Sequence, residues 1–180
     1  MGYLRKPFVP ALVDTFVNGD FAQTQKITLA NSTIETSLVG SGAGSVLYPS
    51  EFFVIGKSVD VKSAGFISAK NGHTSTLRIY LGGVKLVEST LTMPAALTNA
   101  SYDLYFNFTC VGENLIIGQG YTRIMAGVGQ TTSYFRPLRM IADATIDATT
   151  SNLLDITYQW GTADADDSVT STNAIVTSIR

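Results

Sequence analysis

From residue 153 onward, apolar Leu154, Ile156, Tyr158 and Trp160 alternate with polar Asp155, Thr157 and Gln159. Successive side chains of an extended chain point to opposite faces, so this alternation predicts a strand with one face buried and the other in water. The same period recurs at Leu104, Phe106, Phe108 and Cys110, and again at Leu77, Ile79 and Leu81. Short strands are predicted over residues 25–30 and 34–39, with Asn31-Ser32-Thr33 as the turn between them. A long strand over 57–70 carries a kink or bulge near Gly65. Asn71-Gly72 is the strongest hairpin signal, and Gly82-Gly83 predicts a second hairpin joining 77–81 to 84–87. Val111-Gly112-Glu113 joins 102–110 to 114–124, and further strands are expected over 138–146, 153–160 and 169–179. Between them, Gly40 to Ser45 reads as a flexible loop, and Pro49 to Phe53 as one helical turn anchored by Phe52 and Phe53. Residues 125–135 read as a loop, and the acidic stretch before 169 as the loop of a closing hairpin. About ten short strands at regular spacing, with no amphipathic helix, predict an all-β antiparallel sandwich or jelly roll.

Residues 1–24 break this pattern. Pro7 and Pro10 deny the segment a regular helix or a central strand. Yet Tyr3, Leu4, Phe8, Val9, Leu12, Val13 and Phe16 make it sticky. Such a segment cannot build a core alone, so it is expected to be an extended arm that docks on its own body or on another chain. Residues 25–180 then form the body.

Composition sharpens the picture. The chain has 180 residues, of which 45% are hydrophobic and only 14% charged, with a net charge of −2. That supports one domain with a real core and a surface built largely from Thr and Ser. No basic field is present to hold a phosphate backbone, so no nucleic-acid partner is expected. The weak net charge permits close association of copies. No apolar run is long enough to span a bilayer, and residues 8–13 are too short and too interrupted for a targeting segment. Met1-Gly2 lacks the myristoylation pattern, which wants Ser or Thr where Lys6 stands.

Candidate chemistry is sparse. Gly56-Lys57-Ser58 lacks the spacing of a phosphate loop and precedes a strand. The glycines at 40, 42 and 44 open no helix, so they form no dinucleotide cradle. His73 follows the Asn71-Gly72 turn and reads as a solvated turn residue, with no nucleophile elbow to partner it. Cys110 sits on the apolar side of its strand and reads as an inert buried thiol. Asp164, Asp166 and Asp167 offer oxygen ligands for calcium, but the glycine hinge and bidentate glutamate of a calcium loop are missing. A charged hairpin tip that discourages edge pairing is the expectation there. Tripeptides at Asn31, Asn99 and Asn107 match glycosylation sequons, frequent by chance in a Thr- and Ser-rich chain. No catalytic residue, metal ligand set or cofactor is expected. The aromatics Tyr80, Tyr102, Tyr105, Tyr121, Tyr134 and Phe135 remain, and Tyr121, Tyr134 and Phe135 are the candidates to face a ligand such as a glycan.

The run from Glu35 through Gly40-Ser41-Gly42-Ala43-Gly44-Ser45, then Pro49 to Phe53 and Gly56-Lys57-Ser58-Val59-Asp60-Val61, resembles a β-domain of tailed-bacteriophage virion surface proteins. The likeness continues through Thr76 to Gly83, through Asn152 to Thr162 and into the closing strand at Asn173. It covers roughly residues 33–180 and leaves the arm outside. The resemblance implies a jelly-roll-like body, homotrimeric and on the virion surface, with no catalysis and no site residues to carry over. A short sticky arm with one globular body, and no heptads or shaft repeats, then suggests a capsid decoration protein of cement or head-spike type. Its partners would be itself and, through the arm, the major capsid protein or another virion protein. The alternative is the receptor- or carbohydrate-binding tip of a tail fibre, with a host-surface glycan as partner.

Overall fold

The structure, a computed structural model, describes residues 20–125, 133–140 and 143–179. These residues form β1 (Phe21–Gln23), β2 (Ile27–Ala30), β3 (Thr36–Ser37), β4 (Gly42–Gly44), β5 (Leu47–Tyr48), β6 (Ser58–Ala69) and β7 (Thr74–Leu81). The second half adds β8 (Val84–Thr92), β9 (Leu97–Gly112), β10 (Leu115–Met125), β11 (Ser133–Arg139), β12 (Ala144–Thr145), β13 (Asn152–Trp160) and β14 (Ser168–Ile179). Every pairing is antiparallel. A nine-stranded sheet runs in the order β11-β10-β9-β6-β14-β1-β4, with β2 also on β14 and β12 on β10. A five-stranded sheet runs β3-β13-β7-β8, with β5 also on β13. The chain is an all-β antiparallel sandwich, as the alternation predicts.

The core lies between the sheets. Val59 and Val61 from β6, Phe106 and Phe108 from β9, and Ile116 from β10 face Ile79 and Leu81 from β7 and Trp160 from β13, all at 0% exposure. Burying each such side chain contributes on the order of 1.5–3 kcal/mol before ordering costs. The expected strand over 102–110 buries alternate residues and pairs with β10 in register from Cys110↔Ile116 to Ser101↔Met125. β10 approaches β9 closely because Gly120 has no side chain; a Cβ there would sit on the Tyr105 carbonyl oxygen.

Several local expectations need correction, mostly because local turn signals do not say which sheet the chain enters next. Asn71-Gly72 does make a turn, with Gly72 at φ 80° and the His73 N–H bonded to the Lys70 carbonyl. It makes no hairpin, however: β6 belongs to the larger sheet and β7 to the smaller, so the turn crosses between layers. The segment after β13 crosses back in the same way, and it is not a hairpin loop either. Gly82-Gly83 does join a paired β7–β8 hairpin. The glycine-rich loop is partly a strand, since Gly42–Gly44 pair with β1. The predicted helical turn at 49–53 is a tight turn with Glu51 at φ 62°, a left-handed conformation no right-handed helix contains. The irregularity near Gly65 is present, but the extra residue is Thr172 of the partner strand β14. The strand expected over 138–146 is not one element: β11 begins at Ser133, inside the segment expected to be a loop, and ends at Arg139, and only Ala144–Thr145 continue as β12. Finally, Phe21–Gln23, assigned above to the arm, already pair with β14 and β4, so the body begins by residue 20.

The sandwich has two unlike ends. At one, Asp20 accepts the Ser178 and Ser45 N–H groups at 2.7 and 3.0 Å. Tyr48, Phe52 and Phe53 cluster beside it in tilted and edge-to-face contacts, with centroids 4.7–5.0 Å apart. At the other end, the crossover turn at 70–73 meets the acidic segment. Lys70 Nζ lies 2.7 Å from Asp164 and 3.4 Å from Asp166. Fully buried Asp167 accepts the Lys70 N–H at 3.1 Å and lies 2.7 Å from His73 Nδ1. Two expectations fall here. His73 is half-buried and partnered, not a solvated turn residue, and the acids form a polar latch between two crossovers, not a free hairpin tip.

Candidate functional site

The outer faces of the two sheets differ. That of the smaller sheet is polar: Arg78 reaches Glu35 at 3.0 Å, Glu88 at 2.7 Å and Gln159 at 2.9 Å. That of the larger sheet carries an aromatic ladder. Tyr105 and Tyr121 are directly opposite across β9 and β10, and Phe135 on β11 opposes Arg123, diagonal to Tyr121. Period-2 geometry therefore puts the three rings on one face, within reach of one another. Tyr105 and Tyr121 centroids are 5.9 Å apart, and Tyr121 stacks on Phe135 at 5.3 Å. Lys62 Nζ extends the row, 5.9 Å from the Tyr105 centroid.

Polar groups flank the rings. Asp60 Oδ1 accepts from the Tyr105 hydroxyl at 3.1 Å and from Asn107 Nδ2 at 2.7 Å. Burial and the neighbouring Asp60 push the Tyr105 phenol up from its usual range, so it stays a neutral donor. Gln119 and Arg139 continue the Asn107 row, and Arg123 pairs with Asp103 on the other side. Shallow hollows of about 230 and 400 Å³ lie either side of the ladder, the first toward Lys62 and Ile175, the second toward Gln119 and Arg139. Flat rings with convergent amides, a carboxylate and cations suit a neutral or weakly charged polyhydroxylated ligand.

Of the ligand-facing candidates, Tyr121 and Phe135 stand together on this face, with Tyr105 between Tyr121 and Lys62. Tyr134 needs correction: it alternates with Phe135, turns to the opposite side of β11 and packs against the core. Tyr102 is also turned inward, and burial raises its phenol pKa. Tyr80 lies on the smaller sheet, so no single platform gathers all six rings. The register pairing of Tyr105 with Tyr121 was the missed signal, readable once 102–110 and 114–124 are aligned around their connecting turn.

The docking candidates Tyr3, Leu4, Phe8, Val9, Leu12, Val13 and Phe16 lie outside the described residues. Among the described residues no group of three or more His, Cys, Asp or Glu side chains is gathered for a metal. Cys110 is buried, its Sγ near the Phe53 and Gly112 carbonyls, and burial raises its thiol pKa. Gly56-Lys57-Ser58 enters β6 with no helix, and Lys57 Nζ caps the Phe52 ring at 4.5 Å.

No family model matches the chain. No curated protein matches it either. Among solved structures, arcelin-5, a lectin-like defence protein from Phaseolus vulgaris, is similar at 10% identity with a TM-score of 0.41, over 86% of this chain and 92% of that one.

Proposed function

We propose that this chain is a non-enzymatic virion structural protein, a capsid decoration protein of cement or head-spike type on a phage surface, assembled as a homotrimer. The observation that supports it is the apolar end of the sandwich. Leu47, Val54, Ile55, Val111, Leu153 and Ile179 are 41–70% exposed there. Their neighbours tie them to one end: Leu47 pairs with Leu153, the Gly56 N–H bonds to the Cys110 carbonyl, and Ile179 pairs with Ser58. Asp20, from which residues 1–19 continue, is held at that end by Ser178. Residues 1–19, apolar in sequence, thus join the body at the same end as these exposed aliphatic side chains. Together they supply a hydrophobic surface for the major capsid protein or another virion protein, at roughly 25 cal/mol per Å² buried.

The test compares particles with and without the protein. Particles carrying it resist heat better, and a chain lacking residues 1–19, or carrying Val54→Ser with Ile55→Ser, stays folded but no longer remains on particles. Full retention of both variants on the particle overturns the reading. Light scattering of the free protein gives three times the chain mass; a monomer at micromolar concentration removes the trimer.

The aromatic ladder favours a second reading, a glycan-binding tip of a tail fibre. On that reading Tyr105, Tyr121 and Phe135 stack on sugar C–H faces while Asn107, Gln119 and Arg139 meet hydroxyls. Purified protein then blocks phage adsorption, and Tyr121→Ala loses the block; a glycan array with no saturable binder rejects it.

A further inference from the structure

Between the sheets lies a cavity of about 40 Å³, against the roughly 10–15 Å³ that one water needs. Its walls are mostly apolar, with Leu77, Leu91, Ile124 and Ile156 among them. One residue does not fit such a place. Arg136 sits in β11 directly opposite Thr122, between inward-facing Tyr134 and Leu138, and lines the cavity together with Thr122 and Ser89. Its Nη1 is buried and has no hydrogen-bond partner among the described residues. Among the described residues no carboxylate pairs with it, whereas Arg78 and Arg123 each have an acid partner on an outer face.

A guanidinium is charged at any working pH and presents a planar fork of donors. Leaving one of its N–H groups buried and unpaired costs far more than pairing it with an anion. The cavity therefore combines an unanswered cation, hydroxyls nearby and apolar walls. Its size admits a few heavy atoms. We propose that this inter-sheet cavity is a binding site for a small aliphatic monocarboxylate of two or three carbons, the carboxylate on Arg136 and the alkyl part against Leu77, Leu91, Ile124 and Ile156. Thr122 stands beside the bound carboxylate on the neighbouring strand. The site is separate from the aromatic ladder, because it lies on the inner face of the same strands.

The experiment is calorimetric titration of the full chain with sodium propionate at constant ionic strength, with sodium chloride as the control anion. Saturable propionate binding that chloride does not reproduce is expected. Arg136→Met weakens it by roughly tenfold or more, the loss expected of a charge-assisted hydrogen bond. Arg139→Met, which removes an outer-face arginine of the same strand, leaves it unchanged. Arg136→Met keeps a side chain of similar length and removes an unpaired cation, so the fold survives. Thr122→Leu fills the cavity with Arg136 intact and also abolishes binding. Wild-type protein that shows no saturable propionate binding overturns the proposal. So does propionate binding undiminished in Arg136→Met, or chloride binding as tightly as propionate.

Discussion

Asp167 shows most clearly how a residue's role depends on partners far away in sequence. It is one of three acids in a loop, and from sequence it looks no different from Asp166. In the fold Asp167 is fully buried, holding the Lys70 N–H and His73, while Asp166 is exposed and lies only 3.4 Å from Lys70. Asp167→Ala is expected to cost ~2–4 kcal/mol, since it leaves two donors without their acceptor, whereas Asp166→Ala falls within about 0.5 kcal/mol of wild type. Urea unfolding of both variants checks this. Asp164 adds a pH dependence. The Lys70 ammonium, through its hydrogen bond, holds the Asp164 carboxyl below its usual range. A carboxyl lowered in the folded state contributes its stability above the unfolded value, near 3.9, and loses it as pH falls through the lower folded value. The stability gap between wild type and Asp164→Asn is therefore present at pH 7 and closes on acidification below about pH 4. High salt narrows it, because both groups meet solvent. Arg136 belongs to the same lesson: between Phe135 and Pro137 its inward direction is visible only once Leu138 is known to face the core.

At the scale of strands, period-2 alternation was a faithful guide. The inner residues of β13, and of β9 from Leu104 on, are those the alternation picks out, because that face is packed against the other sheet. The outer face is less regular: Thr157, expected in water, is buried with its hydroxyl donating to Glu35. The turns were less informative. Both Asn71-Gly72 and Gly82-Gly83 reverse the chain, but only the second returns it to the same sheet. Local backbone preference fixes a reversal; long-range burial decides the layer. The ladder on the larger sheet was half legible for the same reason. Tyr121 and Phe135 are apparent as aromatics, but their alignment with Tyr105 needs the β9–β10 register. Two glycine substitutions separate these influences. Gly72→Ala keeps an unobstructed Cβ but puts alanine at positive φ, at a cost of about 1 kcal/mol. Gly120→Ala drives a methyl into the β9 backbone and costs about 3 kcal/mol. Thermal unfolding of the two variants should rank them in that order; equal costs would mean that β10 can move away from β9.

For the whole molecule, the described residues make a two-layer body with chemically opposite ends. One end is aliphatic and adjoins the point where residues 1–19 continue; the other is closed by Lys70, His73, Asp164 and Asp167. The sandwich was legible in the chain because strand period and turn spacing agree throughout. The polarity of its ends was not, since Leu47, Val54 and Val111 are brought together only by pairings remote in sequence. Removing residues 1–19 is expected to change the unfolding midpoint by only a few degrees, because Asp20 and β1 retain their bonds to β14 and β4. Circular dichroism and calorimetry of the shortened chain test that; a chain that no longer unfolds cooperatively would make the segment part of the core.

The position of β14 has a consequence for biosynthesis. It lies between β6 on one side and, on the other, β1 and β2, each paired with it separately, so Phe21 near the start of the described chain is paired with Val176 near its end. While the ribosome is still making residues before 168, β6 keeps an open edge with no neighbour on that side, and the inner faces of both sheets remain wet. Such nascent chains are sticky and slow to mature, because the long loops must close before their contacts reward them. Stalled chains ending before Ser168 should therefore be protease-sensitive and engage chaperones, and release of the last twelve-residue strand should convert them cooperatively to the resistant form.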